Sequence, residues 1–174
     1  NIIWGEGKGL KLALMTLNTG RLTMPAAVTG ASKWCLSVVR HWANERVQWG
    51  AAVGKHEAVA QKIAGMASTI FAMDAVANLT AYMADDKDTD IRLEAAIAKL
   101  CCTEASWKIV DQAVQVRGGR GYETGPSMRA RGEKKPFSLE RVMRDARINT
   151  IIEGTSQIMR LFIAREAMDS HMRR

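Results

Sequence analysis

The sequence predicts an all-α fold, an up-down bundle of long amphipathic helices forming a single domain over residues 1–174. Two observations carry that expectation. Only 3 prolines, 3 phenylalanines and 2 tyrosines accompany abundant Ala, Met and Leu, a composition that favours helix over strand. Apolar residues also recur over long stretches at steps of three and four, the period of a helix that buries one stripe. With 47% hydrophobic and 25% charged residues, a chain of this length can bury one sizeable core.

The first helix is expected from about Lys8 to Arg46, on the seam Leu10, Leu14, Leu17, Arg21, Met24, Val28, Ala31, Cys35, Val38 and Trp42. Only Arg21 interrupts its apolar character, and an unpaired guanidinium is costly to bury, so Arg21 needs an anionic partner. Pro25 should kink or split this helix, because it lacks an amide hydrogen and crowds the carbonyl four residues earlier. A second helix follows on Val59, Ile63, Met66, Ile70, Met73 and Ala77 and fades in the run from Asp85 to Asp88. The third uses Ala96, Leu100, Thr103, Trp107, Val110 and Val114 and stops at Gly118-Gly119.

From Arg120 to Ser138 no apolar period is visible, and Arg129, Arg131, Lys134 and Lys135 make the stretch read as an exposed basic loop. Leu139, Val142, Met143 and Ala146 fit a short helix. The last helix is expected to open near Thr155, a good N-cap, and to use Ile158, Leu161, Phe162, Arg165 and Met168. Such helices, joined by short loops, pack as an antiparallel bundle because each must bury its stripe on a neighbour.

Several functional classes are disfavoured at this level. No run approaches the roughly 18 uninterrupted apolar residues of a membrane span. The three cysteines, two of them adjacent, indicate neither a disulfide framework nor a metal site and suit a reducing compartment. The clusters Gly5-Glu6-Gly7-Lys8-Gly9 and Gly118-Gly119-Arg120-Gly121 follow no strand, so a dinucleotide or P-loop fold is not supported. A net charge of +7 suits an anionic partner without choosing among nucleic acid, membrane and phosphate-bearing ligand. The chain opens at Asn1 without an initiator Met and is expected to be a piece of a longer protein.

Four separated segments nevertheless occur together: Gly5-Glu6-Gly7-Lys8-Gly9-Leu10 with Arg21 beyond it; Glu45-Arg46-Val47-Gln48-Trp49-Gly50; Gln115 through Tyr122; and Arg144-Asp145-Ala146-Arg147-Ile148 followed by Ile152-Glu153-Gly154-Thr155-Ser156-Gln157-Ile158. In order and spacing they resemble the C-terminal helical domain of the acyl-CoA dehydrogenase family, with the N-terminal helical and middle β-domains absent from this chain. The resemblance implies oxidation of an acyl-CoA to its trans-2-enoyl-CoA, with FAD as hydride acceptor and an electron-transfer flavoprotein as electron acceptor. It implies a homodimer or homotetramer, located in the cytoplasm or in a mitochondrial matrix, and an inactive isolated domain.

Residue by residue, the resemblance makes Glu153 the catalytic base. Some relatives carry the base on the first helix, at the position of Gly20, which cannot serve here. Asn18, Arg21 and Gly154 fall at substrate positions, and Arg46, Gln48, Gln115, Gly118, Gly119, Thr155 and Gln157 at flavin positions, some shared between subunits. Trp49 stands where the family usually has Phe, and Ile152 where it is commonly aromatic. Without the family pattern, Glu153 reads as an acid near the positive start of the last helix and Thr155 as an ordinary cap. Two other readings remain: a related flavin monooxygenase or DNA-binding alkylation-response flavoprotein, and a helical interaction module acting alone.

Overall fold

The computed structural model describes residues 2–86 and 88–172. Three long helices form the body: α1 (Gly9–Glu45), α2 (Glu57–Ala84) and α3 (Arg92–Arg117). Helix α3 is central, packing on α1 and α2 and also on α6 (Leu139–Ile148) and α7 (Ser156–Met172). The core where they meet holds Val28, Cys35, Val38 and Val39 from α1, Met66, Ile70 and Met73 from α2, and Cys102, Ile109, Val110 and Ala113 from α3.

Helix α1 runs through Pro25 without splitting. The proline is buried, and its carbonyl accepts the Thr29 hydroxyl at 2.7 Å. The buried stripe departs from the seam at its start, where Leu10 and Leu14 are exposed, and again at Ala31. Ser32 rather than Ala31 faces the core, its hydroxyl donating to the Val28 carbonyl at 2.7 Å and lying 3.1 Å from Ser106 Oγ. Helix α7 departs more: Ile158, Leu161 and Met168 are exposed and Met159 is the residue fully buried. Thr155 caps this helix, accepting the Ile158 amide at 3.3 Å.

A two-strand antiparallel hairpin, β1 (Val47–Gln48) and β2 (Ala51–Ala52), follows α1. Its turn is Trp49-Gly50, both left-handed at φ 51° and 78°. The stretch after α3 is not the open basic loop expected. It contains α4 (Gly119–Tyr122) and α5 (Gly125–Ala130), with Met128 buried and Thr124 accepting the Ser127 amide at the start of α5. Glu133 receives Arg117 at 3.2 Å, Arg131 at 3.4 Å and Arg120 at 3.8 Å, so three of its basic neighbours are structural partners.

Helix α2 is long and apolar enough, by length and composition alone, to cross a membrane. Here it buries Met66, Ile70, Met73 and Thr80 in the bundle and leaves Phe71, Leu79 and Tyr82 outside. Cys35 and Cys102 lie fully buried, and burial pushes their thiols up to about 12 and about 11, whereas Cys101 is exposed. A disulfide reagent at pH 8 is therefore expected to titrate one thiol quickly in the native chain and three after denaturation. Rapid reaction of two or more native thiols would contradict this burial.

Candidate active site

The turn between α6 and α7 carries the site. Its backbone folds back on itself: the Ile152 amide donates to the Ile148 carbonyl at 3.0 Å and the Ser156 amide to the Thr150 carbonyl at 3.1 Å. Between those bonds Glu153 and Gly154 are both left-handed, at φ 56° and 107°. Glycine tolerates this freely, but for glutamate such a conformation costs about 1 kcal/mol or more and persists only where surrounding contacts fix it.

The contact that receives Glu153 is Gly20 on α1. A Cβ placed at Gly20 would lie 2.5 Å from Glu153 Oε2 and 2.6 Å from Oε1, so the carboxylate occupies the space that any other residue there would fill. Oε2 is buried and has no hydrogen-bond partner. Arg21, next along α1, donates to Asn18 Oδ1 at 3.4 Å and lies over the Phe162 ring at 5.1 Å, while its Nε is buried and unpartnered. Burial lowers the Arg21 guanidinium below its ordinary range and the Glu153 charge pulls it back up, so the two groups interact electrostatically. The structure thus brings Asn18, Arg21, Glu153 and Gly154 together across α1 and the turn.

One member of this group had no sequence signal attached to it. Lys99 of α3 is fully buried and donates from Nζ to the Gly154 carbonyl at 2.7 Å. Burial pushes its ammonium down, with Glu153 acting to raise it and Arg21 to lower it further.

The residues expected to hold a cofactor divide between two clefts. A cleft of about 610 Å³ is lined by Arg46, Gln48, Gly118 and Gly119, together with Trp49, His56, Arg120 and Arg131. The hairpin aims Trp49 outward at 87% exposure, with its ring edge-on to His56, and His56 Nε2 lies 3.0 Å from the Gln48 carbonyl. No side chain would obstruct a Cβ at Gly118 or Gly119, so the backbone there is open to close approach. Gln115 is exposed one turn earlier, its carbonyl accepting the Gly118 amide at 3.1 Å, and is not among the lining residues. Thr155 and Gln157 line a separate cleft of about 490 Å³ with Lys108, Arg147 and Arg160. Arg160 is held there by Glu104 at 2.5 and 2.7 Å, and Arg147 by Thr150. Among the described residues no cluster of His, Cys, Asp and Glu could hold a metal.

The family model described as acyl-CoA dehydrogenase, C-terminal domain, matches residues 7–168. The chain belongs to the acyl-CoA dehydrogenase family. It is 55% identical over 172 residues, 99% of its length, to a probable acyl-CoA dehydrogenase, FadE10, of Mycobacterium tuberculosis. It is also 34% identical over 94% of its length to the human mitochondrial very long-chain specific acyl-CoA dehydrogenase. The chain spans 26% and 23% of those two relatives, about a quarter of their lengths. The solved structure of butyryl-CoA dehydrogenase from Megasphaera elsdenii superposes with a TM-score of 0.82 at 30% identity, covering 94% of this chain and 40% of that one. The all-α bundle is accordingly the C-terminal domain fold of the acyl-CoA dehydrogenase family.

Proposed function

We propose that this chain is the C-terminal domain of a longer flavoenzyme that dehydrogenates acyl-CoA thioesters between the α and β carbons, with Glu153 as the base. The observation that carries this reading is the Glu153 carboxylate seated on Gly20 with Oε2 buried and unpartnered. A carboxylate surrounded by water or bonded to several donors is a poor base towards a thioester α-proton; one with a desolvated, unengaged oxygen is better placed to take it.

Each step assigned to this chain follows from the turn. The Glu153 carboxylate accepts the α-proton. Among the described residues the Glu153 amide donates to no acceptor, which leaves it free for the thioester oxygen, where negative charge gathers as the proton leaves. Gly154, left-handed at φ 107°, leaves the space of a side chain to Met159, whose Cε and Sδ would lie 3.1 and 3.2 Å from a Cβ there, so the turn packs directly on α7 behind the base. Arg21, fixed over Phe162 and bonded to Asn18, supplies positive charge beside the carboxylate.

FAD fits the two clefts by the chemistry of their donors. When bound, it accepts the β-hydrogen as hydride. Arg46 with Arg120 and Arg131 suits an anionic pyrophosphate, the glycine pair offers bare backbone, and Trp49 and His56 offer flat faces. Thr155 and Gln157, at the amide-rich start of α7, suit a second polar part of the cofactor. Because the two clefts are separate, we infer that one serves the domain's own flavin and the other that of a partner subunit. The outward Phe71, Leu79 and Tyr82 on α2 support a homodimer or homotetramer. An electron-transfer flavoprotein is the inferred acceptor, and the bacterial cytoplasm or a mitochondrial matrix the inferred location.

The test is turnover of acyl-CoAs of graded length by the flavin-loaded full-length protein and its Glu153→Gln variant. Loss of about 1,000-fold in kcat is expected, with flavin content unchanged. Wild-type turnover in that variant would remove Glu153 from the mechanism.

A further inference from the structure

Lys99 is the largest fully buried side chain among the described residues. Sealing an ammonium inside a bundle is expensive, and an apolar residue would fill the same space without that cost, so its retention calls for a use. An ammonium carries three donors, and one of them is spent on a backbone carbonyl 55 positions away, that of Gly154. No carboxylate among the described residues lies within ion-pair distance of Nζ. The charges that act on it are Glu153 of the turn, Arg21 of α1 and Glu104 of α3, the last already engaged by Arg160 of α7.

The bonds that shape the turn are otherwise local: Ile152 to Ile148 and Ser156 to Thr150. Lys99 is the bond that ties its apex to another helix, and it does so at the second of two consecutive left-handed residues. A neutral donor would satisfy a carbonyl equally well. A cation at that place does something more, since the next side chain back is the base.

Building on the assignment of Glu153 as base, we propose that Lys99 is the positioning residue of the base turn: its ammonium holds the Gly154 carbonyl, keeping Glu153 over Gly20, and maintains a positive charge beside the carboxylate. Lys99 does not touch substrate. It acts through Glu153, whose left-handed backbone it fixes.

The test compares Lys99→Met, which loses both bond and charge, with Lys99→Gln, which loses the charge and keeps a donor, in the full-length flavin-loaded protein. For Lys99→Met, kcat is expected to fall at least about 10-fold while KM for acyl-CoA changes less than about 3-fold. Amide exchange across residues 150–157 should quicken. Lys99→Gln, which keeps a donor for the Gly154 carbonyl, should lose less kcat and exchange more slowly than Lys99→Met while still falling below wild type, and it carries the test alone if Lys99→Met does not fold. Wild-type kcat with wild-type exchange across residues 150–157 in the folded variants, or a loss confined to melting temperature, would overturn the proposal. Glu153→Gln is measured alongside: if it is active, the assignment of the base fails, whereas an inactive Glu153→Gln with wild-type behaviour at Lys99 defeats the Lys99 role alone.

Discussion

Gly20→Ala is expected to cut kcat about 100-fold while leaving the domain as stable as before. The added methyl would lie 2.5–2.7 Å from the Glu153 carboxylate atoms, too close for both to stay. Those atoms are the end of a flexible side chain, so the carboxylate swings away at little cost to the fold. Alanine inside a helix is moreover favoured over glycine by roughly 0.5–1 kcal/mol, which offsets what the shift costs. Catalysis has no such tolerance, since a displacement of about 1 Å at a reacting group can cost on the order of 100-fold. Thermal melting should therefore move by no more than a few degrees, and steady-state kinetics on the flavin-loaded protein should show the loss in kcat. A Gly20→Ala enzyme with wild-type kcat would show that the carboxylate does not work from the position seen here.

The same residue shows how far the sequence reading reaches. Gly20 stands at the rival position for the base, which the motif pattern could identify, but only the fold shows that the glycine is vacant because Glu153 fills it. Helix seams were legible where one face is buried against a neighbour, as with Met66, Ile70 and Met73 on α2. On α7 the apolar period pointed to Ile158 and Leu161, which are exposed, because the period marks an apolar face whether or not a neighbour in the same chain covers it. The stretch after α3 lacked an apolar period because its order comes from ion pairs on Glu133 and from turn chemistry, neither of which has a fixed spacing. Lys99 and Arg117 escaped notice for a related reason. Ala95, Lys99, Cys102, Ser106, Ile109, Ala113 and Arg117 advance by threes and fours along the buried face of α3, but a pattern scored on hydrophobicity passes over its two cations.

Glu133→Ala is expected to destabilise the domain by about 2–3 kcal/mol, the largest loss of stability from any single ion pair here. The Arg117 side chain is 3% exposed, packed 5.2 Å from the Trp42 ring and 5.6 Å from that of Phe137. Its Nη2 reaches Glu133 at 3.2 Å and its Nη1 the Phe137 carbonyl at 3.4 Å, while Nε has no partner. Removing Glu133 leaves this guanidinium buried with one carbonyl and two ring faces, and an uncompensated buried charge is among the costlier defects a core can hold. Glu133 itself is 23% exposed, so the figure is set below that for a fully enclosed pair. For a domain of this size the loss corresponds to about 4–12 °C in melting temperature. Asp145→Ala sets the scale: its pair with Arg141 is 3.7 Å long with both side chains more than 70% exposed, and should be worth no more than about 0.5 kcal/mol. The double variant Arg117→Met with Glu133→Ala should recover part of the stability lost in Glu133→Ala alone, since it removes the stranded charge and keeps apolar volume between the rings. Equal stability of Glu133→Ala and wild type would mean that Arg117 is satisfied by the rings and the carbonyl alone.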